Sequence, residues 1–471
     1  MSNTYQAGMI GLGTMGCNLV LNMNDSGYRV AGYDKDAAKI DILNKLATNN
    51  SMKAFSLIAD FVNALEVPRI IMLLVPAGKV VDFVIEDLKP LLQKGDIIID
   101  CGNSHFTDTL VRINSLQDAG LYFMGIGISG GETGARFGPS IMPGGNKEVY
   151  ALIAPLLQSI AARVQDKPCT AYMGNGAAGH YVKMVHNGIE YALMQLISET
   201  YHILKQVAGY NNEQLHTVFD NWNKGRLHAY LIEITAAIFL QKDENGKDDL
   251  IDNILDTAHQ KGTGAWMSQD AMAIQSPIPA VDAAVSQRMI SALKKERMAA
   301  AKNILVKDDS SNDDAALIKI LEEALYAAFI ISYAQGLAML RQGSAYYKME
   351  IPVREVAAIW RGGCIIRATL LEEIMQAYDA DTDLANLMYA SAFSQQLNNA
   401  VTSFGWLLKT AIDHQVPTPA FSACYHYFIS YHSGWLPANL VQAQRDFFGA
   451  HTYERIDKEG FFHSIWNETI Q

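Results

Sequence analysis

Gly11-Leu12-Gly13-Thr14-Met15-Gly16 follows directly on the apolar run Ala7–Ile10 and opens a helical-period segment over 15–24. Strand, glycine-rich turn and helix in that order constrain the chain more than anything else in it, because they call for a sheet with a nucleotide at its edge. The first glycine permits the tight turn, the second lets backbone approach a pyrophosphate, and the third lets helix and strand pack closely. The helix N-terminus then offers unpaired N–H groups to the phosphates. Glycine-rich turns are common, so this one gains weight from Asp34, eighteen residues after Gly16 at the end of a second strand. A carboxylate there accepts hydrogen bonds from an adenosine ribose and repels a 2′-phosphate. Lys35 partly offsets the repulsion and Asp36 restores it, so the sequence favours NAD, with NADP as the alternative. The plainer reading of Asp34 is a turn cap.

Further short apolar runs at 29–33, 70–75, Ile97–Asp100 and 122–126 alternate with helical stretches. That alternation predicts a parallel sheet with helices on its faces, a Rossmann-type α/β domain over 1–177. From Ala178 to about Tyr431 the texture becomes helical and rich in Ala, Leu, Ile and Met, which predicts a large all-α domain over 178–434. Two of its long helices, beginning near Lys183 and Lys319, share length and apolar texture and suggest an internal duplication. The polar run 308–314, DDSSNDD, reads as a surface loop between the halves. The last stretch, 435–471, mixes Arg445, His451, Tyr453, Arg455 and several Phe, the composition of a tail that docks onto something.

Net charge narrows the partners. With 37 Lys+Arg against 49 Asp+Glu the chain carries −12, which argues against nucleic acid or an anionic membrane surface. The best candidate for a membrane span, 324–340, is interrupted by Ser332, Gln335 and Gly336 and falls short of the ~20 apolar residues required. It reads as a core helix. Five scattered cysteines without a CxxC pair fit a reduced compartment and no zinc site. With no basic leader before the glycine turn, the expectation is a soluble cytoplasmic protein.

Lys183, His186, Asn187, Glu190 and Tyr191 recur at the spacing of one helix face, among apolar neighbours such as Met184, Val185, Ile189 and Leu193. A solvated face with an ion pair is the simpler reading, but this helix has few other charges. A lysine at the back of a cleft loses its proton more readily than its ordinary value of ~10.4 implies, and then serves as a general base. A carboxyl two turns away can act as an acid while the neighbours hold hydroxyls. Base, acid and nicotinamide together describe oxidation of an alcohol with a second proton transfer.

These blocks resemble the decarboxylating 6-phosphogluconate dehydrogenase family, within the β-hydroxyacid dehydrogenases. The resemblance is carried by Gly11–Gly16, the Asp100-Cys101-Gly102-Asn103 turn, Gly127-Ile128-Ser129-Gly130-Gly131 and the run from Lys183 to Tyr191. It continues in Lys261-Gly262-Thr263-Gly264, in Gly363-Cys364-Ile365-Ile366-Arg367 and in the run from Gln444 to Tyr453, so it spans almost the whole chain. It implies oxidative decarboxylation of 6-phosphogluconate to ribulose 5-phosphate and CO2 without a metal ion. Lys183 and Glu190 would be the catalytic base and acid. The cofactor would be held by Gly11 to Gly16 together with Asp34, Lys35, Asp36, Val75, Pro76, Ala77 and Asn103. Asn103, Ser129, Gly130, Gly131, His186 and Asn187 would hold the carboxylate and hydroxyls of the substrate. Tyr191, Lys261, Thr263, Arg288, Arg445 and His451 would grip its phosphate, concentrating the cations that an acidic protein needs for an anionic ligand. In the family the last two reach the partner subunit's site, which implies a homodimer with exchanged tails.

The chain departs from the family in three places. Members that use NADP usually carry Asn-Arg-Thr or Asn-Arg-Ser where this chain has Asp34-Lys35-Asp36. Pro76 stands where a lysine is common near the nicotinamide, and Cys101 where glycine is usual. Two other functions compete: a β-hydroxyacid dehydrogenase of a non-phosphorylated acid, which would not need Lys261, Arg288 and Arg445, and a non-catalytic nucleotide sensor, which would not need Lys183 or Glu190.

Overall fold

Strands of branched apolar residues are buried on both faces only when helices cover both, and the N-terminal third is built that way. The computed structural model describes residues 4–47, 50–260, 262–302 and 314–466. Strands β1 (Ala7–Ile10), β2 (Val30–Tyr33), β3 (Met52–Phe55), β4 (Ile70–Leu73), β5 (Ile97–Asp100), β6 (Tyr122–Ser129) and β7 (Ser140–Gly144) form one sheet. Their order is β3-β2-β1-β4-β5-β6-β7, parallel except at the antiparallel β6–β7 edge. Helices α1 (Thr14–Asp25), α2 (Ala37–Leu46), α3 (Ile58–Asn63), α4 (Lys79–Leu88), α5 (Phe106–Gln117), α6 (Gly131–Phe137) and α7 (Lys147–Ile160) join the strands.

Side chains alternate across the sheet as a period of two requires. Ile71, Leu73 and Ile98 join a core with Phe61, Val81 and Leu88, while Met72, Ile97 and Ile99 join another with Leu19, Val20 and Leu157. The chain runs outward in both directions from β1 and β4, and the reversal opens a crevice at the carboxyl ends of those strands. The glycine turn and the segments after β4, β5 and β6 all emerge from those same ends. The sheet differs from the sequence expectation at its rims. Edge strand β3 carries an exposed Lys53, and β7 contains Pro143, which is tolerated at an edge because a proline there need not donate to a neighbour.

A short hairpin, β8 (Arg163–Val164) and β9 (Lys167–Pro168), precedes the helical part. That part begins with α8 (Ala178–Gln206), α9 (Asn212–Asn223), α10 (Tyr230–Ile238), α11 (Leu250–Asn253), α12 (Thr263–Ala273), α13 (Pro279–Ala292) and α14 (Lys294–Ala301). It continues with α15 (Asp314–Tyr347), α16 (Val353–Trp360), α17 (Leu370–Ala380), α18 (Ser391–Asp413) and α19 (Pro419–Tyr431). The long helices α8 and α15 pack against each other, and α15 is buried from Ala324 to Ala334. Among the described residues no helix is long and apolar enough to cross a membrane. Of the expected loop at 308–314, residues 308–313 lie outside the described residues and Asp314 begins α15 instead.

Two turns in the helical part repeat each other. Gln275 and Gln415 both take positive φ, and each precedes a Pro-x-Pro that starts α13 or α19. Gln335 on α15 accepts from the Ala280 N–H of α13 at 3.0 Å, and Glu199 on α8 accepts from the Ala420 N–H of α19 at 2.8 Å. Each long helix thus caps a helix that follows the other long helix in the chain.

The contacts divide the chain into two compact units, Met1–Cys424 and Tyr425–Gln471. The second holds the end of α19, α20 (Ala438–Gly449) and the hairpin of β10 (Tyr453–Glu454) and β11 (Phe461–Phe462). It is organised on Asp446, whose buried carboxylate accepts from Thr452 N, Ser464 N and Trp466 Nε1 at 2.8–3.0 Å and pairs with His463 at 2.9 Å.

Candidate active site

The glycine turn fits a dinucleotide. A Cβ on Gly11, at φ +96°, would lie 2.4 Å from Leu74 O, and one on Gly16 would lie 1.9 Å from Gly11 O. No atom lies within 4 Å of where a Gly13 Cβ would be, which leaves backbone open for a pyrophosphate at the start of α1. Leu12 is buried, with its N–H on Asp34 Oδ2 at 2.8 Å, and Thr14 begins α1.

Beside the turn lies a cavity of about 360 Å³ lined by Tyr33, Asp34, Lys35, Lys39, Phe83 and Asp87 among others. Its apolar wall suits an adenine ring. Phe83 and Asp87, both from α4, were not singled out in the sequence because nothing local marks a helix residue as facing a turn fifty residues away. Asp36 differs from its expected place. Its carboxylate accepts from Ala38 N at 3.0 Å as the N-cap of α2, so it stabilises that helix and does not line the cavity.

A second cleft, about 620 Å³, adjoins the same turn and brings together Met15, Val75, Pro76, Ala77, Asn103 and Ile128. It also takes in Cys101, His105 and Trp266. Trp266 is a missed wall residue, although it sits three positions after Thr263 in a block already read as functional. The Asn103 turn is held from below. Asp100 accepts from Gly102 N at 2.9 Å and Ser104 Oγ at 2.5 Å, with Arg112 Nη1 at 3.5 Å. His180 Nε2 meets Asp100 O at 3.1 Å, which ties the first turn of α8 to the same loop.

Glycines seat α8 directly on the sheet. A Cβ on Gly179 would lie 2.2 Å from Gly125 O, and one on Gly127 would lie 2.4 Å from Lys183 Cβ. This close approach sets Lys183 against β6, next to Ile128 of the second cleft. Lys183 is 7% exposed, and burial lowers its amine from the ordinary 10.5, while the Glu190 charge and Cys364 act to raise it. Burial raises the Glu190 carboxyl from 4.5, opposed by Lys183 and Arg288. The buried amine and the half-buried carboxyl therefore perturb each other.

Around them His186 is fully buried, and burial with the nearby Lys183 charge holds it well below its usual value, so the ring is neutral. Nδ1 lies 3.2 Å from Asn187 Oδ1 and Nε2 lies 3.2 Å from Ser129 Oγ. Since the amide oxygen only accepts, Nδ1 donates to it and Nε2 accepts from the serine hydroxyl. Gly130 and Gly131 follow Ser129 at positive φ, +128° and +62°, and open α6.

One helical turn further on, the Arg288 guanidinium stacks 3.5 Å from the Tyr191 ring centroid. Gly264 lets the start of α12, with Thr263, settle against that tyrosine, since a Cβ there would lie 2.5 Å from its ring. Tyr191, Thr263, Arg288 and Glu190 thus stand together. Lys261 lies outside the described residues. Arg445 and His451 belong to the second unit. Arg445 is exposed and donates to Gln442 Oε1 at 3.1 Å, and the His451 ring meets Phe448 edge-on. Among the described residues no group of His, Cys, Asp and Glu could hold a metal ion.

Comparison with known proteins covers nearly the whole chain. Residues 6–174 match the NAD binding domain of 6-phosphogluconate dehydrogenase, and residues 179–466 match the C-terminal domain of the same enzyme. The chain is 47% identical over 464 residues to the NADP(+)-dependent, decarboxylating 6-phosphogluconate dehydrogenase of Bacillus subtilis, covering 98% of this chain and 99% of that one. It is 46% identical over 463 residues to the decarboxylating enzyme of Escherichia coli, with the same coverage. It is similar to the solved 6-phosphogluconate dehydrogenase of Plasmodium falciparum, with a TM-score of 0.95, 41% identity and coverage of 98% and 100% of the two chains.

Proposed function

The chain belongs to the 6-phosphogluconate dehydrogenase family, and we propose that it converts 6-phospho-D-gluconate to D-ribulose 5-phosphate and CO2 with reduction of NAD(P), a step of the pentose phosphate pathway. The observation that carries the mechanism is a buried amine and a half-buried carboxyl on one face of α8, with pKa values displaced toward neutral amine and neutral acid. A bound nicotinamide would supply the acceptor for a hydride leaving C3 of the substrate. Neutral Lys183 takes the proton of the C3 hydroxyl as that hydride departs. The resulting 3-keto acid loses CO2 because its carbonyl receives the electron pair of the breaking bond, and protonated Lys183 delivers its proton to that oxygen. Glu190 then protonates substrate C2, the carbon that carried the lost carboxylate and becomes C1 of the product, while Lys183 recovers the hydroxyl proton, leaving a ketone. Asn103, Ser129, Gly130, Gly131, His186 and Asn187 hold the carboxylate and hydroxyls. The hydrogen bonds of His186 leave the Asn187 amide N–H groups to donate to a substrate oxygen.

Tyr191, Thr263 and Arg288 receive the phosphate, joined by Lys261 and, across a homodimer with exchanged tails, by Arg445 and His451. We assign 1–177 to dinucleotide binding, 178–434 to an internally duplicated helical domain for substrate and dimerisation, and 435–471 to a tail. The tail surface supports a homodimer with exchanged tails, since Leu440, Phe448 and Phe461 are 61%, 73% and 76% exposed beside Arg445 and His451. Five free cysteines accord with the cytoplasm. NAD is assigned as the preferred coenzyme on the carboxylate of Asp34, although the Bacillus subtilis relative is NADP-dependent.

Purified protein is expected to reduce coenzyme with 6-phosphogluconate and not with gluconate. Lys183→Met should abolish turnover while coenzyme still binds. Equal activity on gluconate would favour the non-phosphorylated acid, and loss of coenzyme binding would give Lys183 a structural role.

A further inference from the structure

The ribose end of the adenosine cavity contains two lysines, and both are already engaged. Lys39 Nζ lies 3.5 Å from Asp34 Oδ2 and 4.0 Å from Asp36 Oδ2. Lys35 Nζ donates to Asp87 Oδ2 at 3.1 Å, across the cavity mouth from α4. Asp34 is itself fixed, its two oxygens accepting from Leu12 N at 2.8 Å and Asp36 N at 2.9 Å. Two ammonium groups thus face three carboxylates.

An ammonium attracts a 2′-phosphate only to the extent that no nearer anion already holds it. Lys35 follows Asp34 directly and would be the natural cation for such a phosphate. Asp87 draws it to the opposite wall and adds its own negative charge there. We propose that Asp87 is a second determinant of coenzyme choice: a carboxylate on α4 that withholds Lys35 from the 2′ position and thereby disfavours NADP. The inference rests on the adenosine ribose lying beside Asp34, as assigned above. It adds a residue from a different element, whose charge acts on the phosphate through Lys35. Because the pair is solvent-exposed, at 70% and 45% of the side chains, its effect is modest and is measured as a ratio of coenzymes.

The test is kcat/KM for NAD and for NADP, with saturating 6-phosphogluconate, in the full-length protein and in Asp87→Asn, Lys35→Met and the double variant. Asp87→Asn should raise the NADP-to-NAD ratio by roughly fivefold, and adding Lys35→Met should cancel most of that gain. An unchanged ratio in Asp87→Asn, or a gain that survives loss of Lys35, overturns the proposal. A ratio is insensitive to a variant that merely folds in lower yield. Preference of the unaltered enzyme for NADP would refute the reading of Asp34 instead, and the change on removing Asp87 would still decide the role of Asp87.

Discussion

Lys183 and Glu190 act on each other in opposite senses, since each charge opposes the neutral form that burial favours in the other. The ascending limb of the pH profile of kcat/KM should report deprotonation of Lys183, at a pH below the ordinary lysine value. In Glu190→Gln the charge that holds the amine up is gone, so this limb should move to lower pH while kcat falls by about a hundredfold or more. A limb that stays in place or moves upward would break the proposed pairing. Spacing along one helix was enough to single out both residues, because a periodicity is local information. Phe83, Asp87 and Trp266 could not be found that way. Their relevance arises only where α4 and α12 are folded against the glycine turn.

Among the elements, α8 and α15 share a task in two chemical versions. Gln335 caps α13 with a neutral amide, and Glu199 caps α19 with a carboxyl that burial raises to about 7, against the N–H groups of Phe421 and Ala420 and the Gln195 amide that lower it. An acid whose folded pKa exceeds its unfolded value binds more protons when folded. The stability it confers is complete below about pH 4.5 and is lost as pH rises through about 7. Compared with Glu199→Gln, the unaltered protein should therefore lose about 2–3 kcal/mol of stability between about pH 4.5 and about pH 7.5, read as diverging Tm values. Parallel pH dependences would show that this carboxyl does not titrate in the fold. The repeated Pro-x-Pro turns are visible in the sequence at Pro277–Pro279 and Pro417–Pro419, but their caps come from helices far away in the chain. The strands β3 and β7 were hidden for a different reason. An edge strand tolerates lysine and proline that a central strand does not, so its sequence carries less of the pattern by which strands are recognised.

For the whole molecule, the order of sheet, helical domain and tail was legible because texture changes abruptly after the last strand. A net charge of −12 also made it plain that an anionic substrate needs concentrated cations. Two of the assigned phosphate contacts, Arg445 and His451, are exposed in the second unit, beside the exposed apolar ring of Phe448. A chain ending before Leu436 should therefore bind coenzyme yet show no turnover with 6-phosphogluconate, while the full chain should run as a dimer in size-exclusion chromatography with light scattering. An active, monomeric truncation would refute tail exchange.

The direct seating of α8 on the glycines of β6 has an evolutionary corollary. One residue inserted between Gly179 and Lys183 would rotate everything downstream by about 100° and turn the amine, imidazole and carboxyl away from their present neighbours together. Lineages descending from this protein can exchange side chains along that rod but cannot lengthen or shorten it there. Insertions and deletions must accumulate in connections that carry no phase.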